Sequence, residues 1–312
     1  MSEIRVVGLF SHPVKGCAPV RLQSLSVSLY GAAGDRIFVI VDEKGRMVTQ
    51  RTEPRLCLIQ PELSLDGAEV GPQALVLRAP GMEDLRLRRP EVRGDQQGGS
   101  TRIHADLVGS AHCGPKAAAW LSGFLGYPAS LRVCARWSRL RESTKPYVGE
   151  RQNLAFQDGL PLLVCSVESI AAFNKALAAM APDERAKTAL NFRPNILVEG
   201  AGAFDELSWG RFSHQDPGEE GPRFGNFAGL KRCDRCGVPD VDPETGVVSN
   251  PAGLTIRVLK ELGMEMPVYP STSIGSERRA VFGMNAAWLP SRSNVIALGS
   301  AITVSERWPQ GR

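Results

Sequence analysis

Hydrophobic and polar positions change over in short runs along most of this chain, which predicts strands more often than helices. Residues 4–10 begin as an apolar run directly after the N-terminus and read as a first strand. Residues 22–29 alternate with period two. Ile37-Phe38-Val39-Ile40-Val41 is uninterrupted and rich in β-branched and aromatic side chains. Glu43-Lys44-Gly45-Arg46 then returns the chain into Met47-Val48-Thr49, a predicted hairpin with glycine in its turn. Further strands are predicted at 56–63, 75–87, 131–135, 160–165, 196–198, 280–286, 295–298 and 302–304.

Helical periodicity appears in three places. Residues 115–124 place Trp120 and Phe124 on one face, start on Pro115 and stop at Gly126 and Pro128. Ser166 is a fitting N-cap for a helix carrying Ile170, Phe173 and Leu177, with Glu168 in the first turn, where the dipole favours it. Leu254, Val258, Leu259 and Leu262 predict a short helix ending at Gly263. Many short strands with few helices predict an α+β, mainly β architecture of barrel type. No Gly-x-Gly-x-x-Gly follows the first strand, so a dinucleotide-binding fold is not expected. Residues 91–101 read as a charged surface loop and 136–151 as a polar, basic, strand-poor stretch. The expected division is a domain over 1–135, a connecting loop over 136–149 and a second domain over 150–308.

Composition narrows the function classes. The 312 residues are 43% hydrophobic and 22% charged, with 32 glycines and 22 prolines, which suits a turn-rich globular chain. A net charge of +4 with no contiguous basic run gives no case for nucleic acid and fits an anionic small ligand. Seven cysteines, an odd number, do not form a disulfide framework. No apolar run approaches the roughly 20 residues needed to span a bilayer. A cytoplasmic protein without a membrane association is expected, and a monomer.

Two constellations carry candidate chemistry. Lys231-Arg232-Cys233-Asp234-Arg235-Cys236 sets two thiols three residues apart among cations. Val241-Asp242-Pro243-Glu244-Thr245-Gly246 follows as a tight turn, with glycine at the position that needs φ > 0. Cationic neighbours favour the thiolate, the form that binds metal. A structural zinc site wants four ligands, and no second pair stands at ligand spacing. A thioredoxin-like pair would open a helix, whereas Gly237, Pro239 and Asp240 follow here. Two inert structural cysteines remain an alternative. A single thiolate holding a softer metal within a larger cofactor fits best, and the residues alone do not choose between Cys233 and Cys236. The second constellation is Lys15, Arg36 and Arg193, each next to Gly or Pro or at a strand end; together they could cradle a phosphate and a polar ring system.

The cysteine motif with its Val-Asp-Pro-Glu-Thr-Gly turn resembles the signature of the MOSC domain family, in particular the branch of the mitochondrial amidoxime reducing component and its bacterial relatives. His12-Pro13-Val14-Lys15, Gly34-Asp35-Arg36 and Thr49-Gln50-Arg51-Thr52-Glu53-Pro54-Arg55-Leu56 are similar to that branch's N-terminal motifs. Asp158-Gly159-Leu160-Pro161, Asn191-Phe192-Arg193-Pro194-Asn195 and Val281-Phe282-Gly283-Met284-Asn285 are similar to motifs of its MOSC domain. The resemblance implies an N-terminal β-barrel-like domain followed by a MOSC β-barrel with a few short helices. It implies a molybdenum cofactor, a molybdopterin whose metal is bound by Cys236 as the catalytic ligand. Lys15, Arg36, Arg193 and Asn195 would hold the pterin and its phosphate. Gly16, Asp158, Gly159, Leu160, Cys233, Asp234, Arg235 and Asn285 would complete the pocket. The implied reaction is reduction of N-hydroxylated compounds: amidoximes, hydroxylamines and N-hydroxylated bases.

The sequence departs from the branch in places. Gly16 stands where serine is usual, removing one side-chain hydrogen bond to the cofactor. Pro239 and Asp240 replace small hydroxyl residues, and 213–227 reads as an insertion. Neither a fused iron–sulfur domain nor a membrane anchor is read in the sequence. Electrons are therefore expected from a separate ferredoxin- or cytochrome b5-like protein, for which 136–151 could provide a basic docking stretch. A cofactor or sulfur carrier without turnover is the alternative function, and a zinc-stabilised binding module a third.

Overall fold

The computed structural model describes residues 3–65, 72–88, 99–134, 139–142, 151–215, 217, 225–267, 278–291 and 293–308. The chain divides into two compact units: Met1–Leu9, Leu162–Asp242 and Val247–Arg312 form one, and Phe10–Pro161 with Pro243–Gly246 the other. Both are mainly β, as the period-two runs predict, and four α-helices stand among the described residues.

In the unit containing residues 10–161, Phe38–Asp42, Ala129–Cys134, Asp106–His112 and Gly99–Ile103 pair antiparallel in that order. A second antiparallel sheet is built from Gln60–Leu65, Pro72–Arg78 and Leu85–Arg88. Phe38, Ile40, Leu56, Ile59, Leu75, Leu77, Leu85, Leu87 and Leu131 are buried in one core with Leu121 from the helix Pro115–Leu125. That helix starts on its proline and stops at Gly126, which takes the left-handed conformation, as its sequence predicts. Trp120 and Phe124 stack with centroids 6.1 Å apart. The predicted hairpin also forms. Gly45 sits at φ 72° and Val48 N donates to Ile40 O at 2.9 Å, although the returning strand is reduced to a single bridge between Val41 and Met47.

Several expectations change here. Residues 99–101 of the expected loop open the strand Gly99–Ile103, and the stretch 75–87 is interrupted between Pro72–Arg78 and Leu85–Arg88. Residues 56–63 are not one strand: Pro54–Leu58 is a 3-10 turn, and the strand begins at Gln60. Proline at the first turn position, with its fixed φ, starts that turn and lets Leu56 and Cys57 both face inward. The run at 22–29 breaks into Val20–Leu22 and Ser24–Ser28. The stretch expected to be strand-poor contains Arg139–Glu142, paired antiparallel with Arg151–Leu154. Residues 91–98 of the expected charged loop, 136–138 and 143–150 of the basic stretch, and most of 216–224 in the expected insertion lie outside the described residues.

The other unit closes a sheet on itself. Its order runs Leu162–Ser166, Ile196–Glu199, Ile4–Ser11, Ala301–Arg307, Trp209–Gln215, Gly225–Asp234, Arg278–Leu289. Leu162–Ser166 pairs parallel with Ile196–Glu199 and antiparallel with Arg278–Leu289, so it joins both ends. Closure leaves none of these seven strands as an open edge. Gly229 allows a close strand contact, because a Cβ there would stand 1.9 Å from Trp209 O. Ser166 caps the helix Val167–Met180 by accepting from Ser169 N, as expected. Phe173, Phe192 and Phe282 form a buried aromatic cluster, with Phe192 and Phe282 stacked at 3.9 Å. Ala189–Phe192 is a helix that periodicity did not predict. Four residues are too few to show a period, but Thr188 and Asn191 form its capping box.

The segment after Cys236 is tied down on three sides. Asp240 is buried, and its carboxylate accepts from Gly253 N at 2.7 Å and Thr255 N at 2.8 Å, capping the helix Leu254–Glu261 from outside its own sequence. Asn191 Nδ2 donates to Pro239 O at 3.1 Å and Val241 O at 3.0 Å. Ser249 donates to Asp240 O through both N and Oγ, and the buried Lys187 ammonium donates to Ser249 Oγ at 2.7 Å. Beyond it, Asp242 N donates to Val247 O at 2.7 Å, and Gly246 takes φ 72°, as the turn motif predicts.

One buried acid stands apart from this loop. Glu206 accepts from Ser169 Oγ at 2.8 Å and Ser166 Oγ at 3.2 Å, and burial pushes its carboxyl up to about 7 despite these hydrogen bonds. In the native state the carboxyl holds its proton well above its ordinary value of 4.5. Between those two values the native state binds the extra proton, so stability falls as pH rises and levels off above about 7. Replacing Glu206 by Gln should flatten denaturant midpoints across that window and stabilise the chain at pH 8 relative to the native sequence. In the same assay, Asp240→Ala should lower stability by about 2 kcal/mol, the loss of a cap and of buried hydrogen bonds, and Asp240→Asn by less.

Candidate functional site

The two thiols of the motif differ in their surroundings. The strand Gly225–Asp234 delivers Cys233 near its end, and Arg235 N donates to Ala280 O at 2.8 Å to hold the exit. Cys233 and Cys236 are both half-buried, whereas Cys17, Cys57, Cys113 and Cys165 are buried. Burial, followed by the charge of Glu206, pushes the Cys165 thiol well up, which keeps it protonated and inert. Arg235 Nη1 donates to Cys233 Sγ at 3.3 Å, and Nη2 donates to Phe192 O at 2.9 Å. The guanidinium also lies over the Phe192 ring, 5.7 Å from its centroid. Burial works against the Arg235 cation, but its contact with Cys233 outweighs it and the group stays charged. Among the described residues, no hydrogen bond reaches the sulfur of Cys236.

The other cations of the motif turn elsewhere. Arg232 Nε donates to Leu207 O at 3.2 Å, and Lys231 pairs with Asp234 at 2.8 Å. The strand position of Arg232 points it at a backbone carbonyl, and Arg235 is the cation that touches sulfur.

The remaining candidates of this unit gather around the same loop. Arg193 ends the helix Ala189–Phe192 in a left-handed conformation at φ 60°. Asn195 is buried and accepts from Leu163 N at 3.1 Å, while its own N donates to Leu163 O at 2.8 Å. Leu163 is paired in register with Asn285, and Asn285 with Lys231 on its other side. Arg193, Asn195, Asn285 and the cysteine loop are thus linked through Phe192, Leu163 and the barrel strands.

The unit containing residues 10–161 gathers a second set. Lys15 is buried, and its Nζ donates to Phe156 O at 2.8 Å and pairs with Asp158 at 2.8 Å. The charge of Lys15 and the hydrogen bonds from His104 and Lys15 hold the Asp158 carboxyl well below the usual carboxylate range. Arg36 pairs with the fully buried Asp35 at 2.5 Å, and Phe156 N donates to Arg36 O at 3.1 Å. Asp35 also accepts from His12 N at 2.8 Å. Gly16 sits at φ 85°, a conformation that glycine adopts without strain; its carbonyl accepts from Gln50 Nε2 at 2.6 Å. A Cβ at Gly159 would meet nothing, so no steric reason requires glycine there. Leu160 is half-buried beside it.

Four described non-glycine residues have positive φ: Arg36, His104, Arg193 and Phe204. Such conformations cost about 1–3 kcal/mol each and cluster at functional sites. Two of them are candidates from the sequence. His104 is not; a lone histidine without ligand spacing offers no motif, and only the fold brings it to Asp158.

The residues of the cysteine loop fit a molybdopterin in their donor chemistry. A soft sulfur without a hydrogen bond stands beside a charged guanidinium, whose buried Nε also lacks a hydrogen-bond partner among the described residues. No group of three or more His, Cys, Asp or Glu that could hold a metal is found among the described residues. No described helix is long and apolar enough to cross a membrane.

Comparison with known proteins agrees with the motifs. The MOSC N-terminal beta barrel domain matches residues 3–128 and the MOSC domain residues 151–303. The mitochondrial amidoxime-reducing component 1 of Mus musculus is 31% identical over 255 residues, covering 78% of this chain and 67% of that protein. The mitochondrial amidoxime reducing component 2 of Bos taurus is 30% identical over 249 residues, covering 77% and 67%. The molybdenum cofactor sulfurase of Homo sapiens is 29% identical over 255 residues, covering 77% of this chain. The chain spans 27% of the sulfurase's length and about two thirds of the amidoxime reducing components. The chain belongs to the MOSC family, with a MOSC N-terminal beta barrel domain followed by a MOSC domain.

Proposed function

We propose that this chain is a molybdenum-cofactor-dependent oxidoreductase that reduces N-hydroxylated compounds with electrons from a separate redox protein. The observation that carries the reading is the asymmetry of the cysteine loop: Arg235 engages Cys233 and leaves the Cys236 sulfur available as a ligand. When bound, the molybdenum of a molybdopterin supplies two-electron oxygen-acceptor chemistry. Reduction of a hydroxylamine or amidoxime takes two electrons and two protons, breaks the N–O bond and yields the N–H compound and water. The protein's contribution is orientation and charge. In this proposal Cys236 is the metal ligand. Lys15, Arg36, Arg193 and Asn195 would hold the pterin and its phosphate, and Gly16, Asp158, Gly159, Leu160, Cys233, Asp234, Arg235 and Asn285 would complete the pocket.

The names of the relatives support the class, and the sulfurase among them supports a second reading, a cofactor or sulfur carrier without turnover. Under that reading the metal or a persulfide binds, but no hydroxylamine reoxidises the reduced protein. The test is metal analysis of protein from a cofactor-competent host, with benzamidoxime reduction by an artificial donor. Molybdenum close to one per chain is expected, with turnover, and both should be lost in Cys236→Ser and largely kept in Cys233→Ser. Protein free of molybdenum, or metal retained in Cys236→Ser, would sink the assignment; metal without turnover would favour the carrier.

A further inference from the structure

His104 occupies the tip of a hairpin that brings Gly99–Ile103 and Asp106–His112 together. Ile103 pairs with Asp106, so the loop is only His104-Ala105. The first residue of this loop lies at φ 55°, a position that two-residue hairpins usually give to glycine. A histidine here carries backbone strain that glycine would not, which points to a use for its side chain. The ring is half in solvent, and its Nε2 stands 2.9 Å from Asp158 Oδ1. The same oxygen receives Lys15 Nζ at 2.8 Å. Asp158 is 68% exposed and Lys15 9%, so the carboxylate forms the outer layer and the ammonium the inner one.

An anion approaching Lys15 meets Asp158 as a competitor of the same sign. A carboxylate held by Lys15 alone would neutralise it. A carboxylate shared with an imidazole N–H is drawn outward, and more of the ammonium's charge stays available to an incoming oxyanion. We propose that His104 is a positioning residue of an oxyanion site at Lys15: it holds the Asp158 carboxylate, and so sets how well a phosphate group competes for the lysine. The inference rests on the reading above that Lys15 meets the cofactor's phosphate, and it adds a residue that no sequence motif marks.

The probe is inorganic phosphate, titrated into the full-length, cofactor-free chain, with thermal midpoints recorded on the same samples. His104→Gly should weaken phosphate binding about two- to fivefold, the size of an exposed charge coupling. It should leave the midpoint unchanged or higher, since the strained position is relieved. A merely structural hydrogen bond would instead lower the midpoint and leave phosphate affinity alone. His104→Gln, which can still donate to the carboxylate, should keep most of the affinity. In an Asp158→Asn background, His104→Gly should have no further effect. Undetectable phosphate binding in the native sequence, unchanged affinity in His104→Gly, or an undiminished effect in the Asp158→Asn background would overturn the proposal. Molybdenum content of the same variants from a cofactor-competent host separates the two readings: native protein with metal but without a phosphate response refutes only the role of His104, whereas native protein without molybdenum refutes the oxidoreductase assignment.

Discussion

The contact between the Arg235 guanidinium and the Cys233 sulfur decides what the cysteine loop can do. A guanidinium half-buried against the Phe192 ring cannot turn away to solvent, and its two terminal nitrogens are committed to a sulfur and a carbonyl. The positive charge therefore stays in the loop, fixed in place. One thiol is occupied by it. The other stands next to it in sequence and feels its charge without sharing its hydrogen bond.

Contacts on both sides of Cys236 hold that arrangement in place. The closed barrel supplies the rigid part, since Leu162–Ser166 pairs on both sides and Arg235 N is fastened to Ala280 O. The segment beyond Cys236 has no strand to hold it and is fastened by side chains instead. Asp240 reaches a helix N-terminus and Asn191 takes two consecutive-turn carbonyls. The Asp240 carboxylate satisfies two backbone N–H groups at once.

The mainly β architecture was legible because alternation and turn chemistry act over a few residues. The helix ends at Gly126 and Gly263, the cap at Ser166 and the turn at Gly246 are local decisions of the same kind. Features set by distant partners were not legible. Pro54–Leu58 looks apolar enough for a strand and turns because its proline and its core contacts demand it. Ala189–Phe192 is too short for periodicity and exists through its capping box and the contact of Arg235 with Phe192 O. The cysteine motif was visible, but the difference between its two thiols depends on a guanidinium's direction. Arg232 and Arg235 are interchangeable in sequence; only one of them meets sulfur. His104 had no motif at all, because its partner lies 54 residues away.

The asymmetry of the two thiols is open to one direct measurement: alkylation of each cysteine, followed by peptide mass spectrometry, in chain loaded with the molybdenum cofactor and in chain stripped of it. Cys236 should be protected in the loaded protein and react once the cofactor is removed, while the reaction of Cys233 should hardly change. Protection of Cys233 with Cys236 reactive in both states would contradict the account.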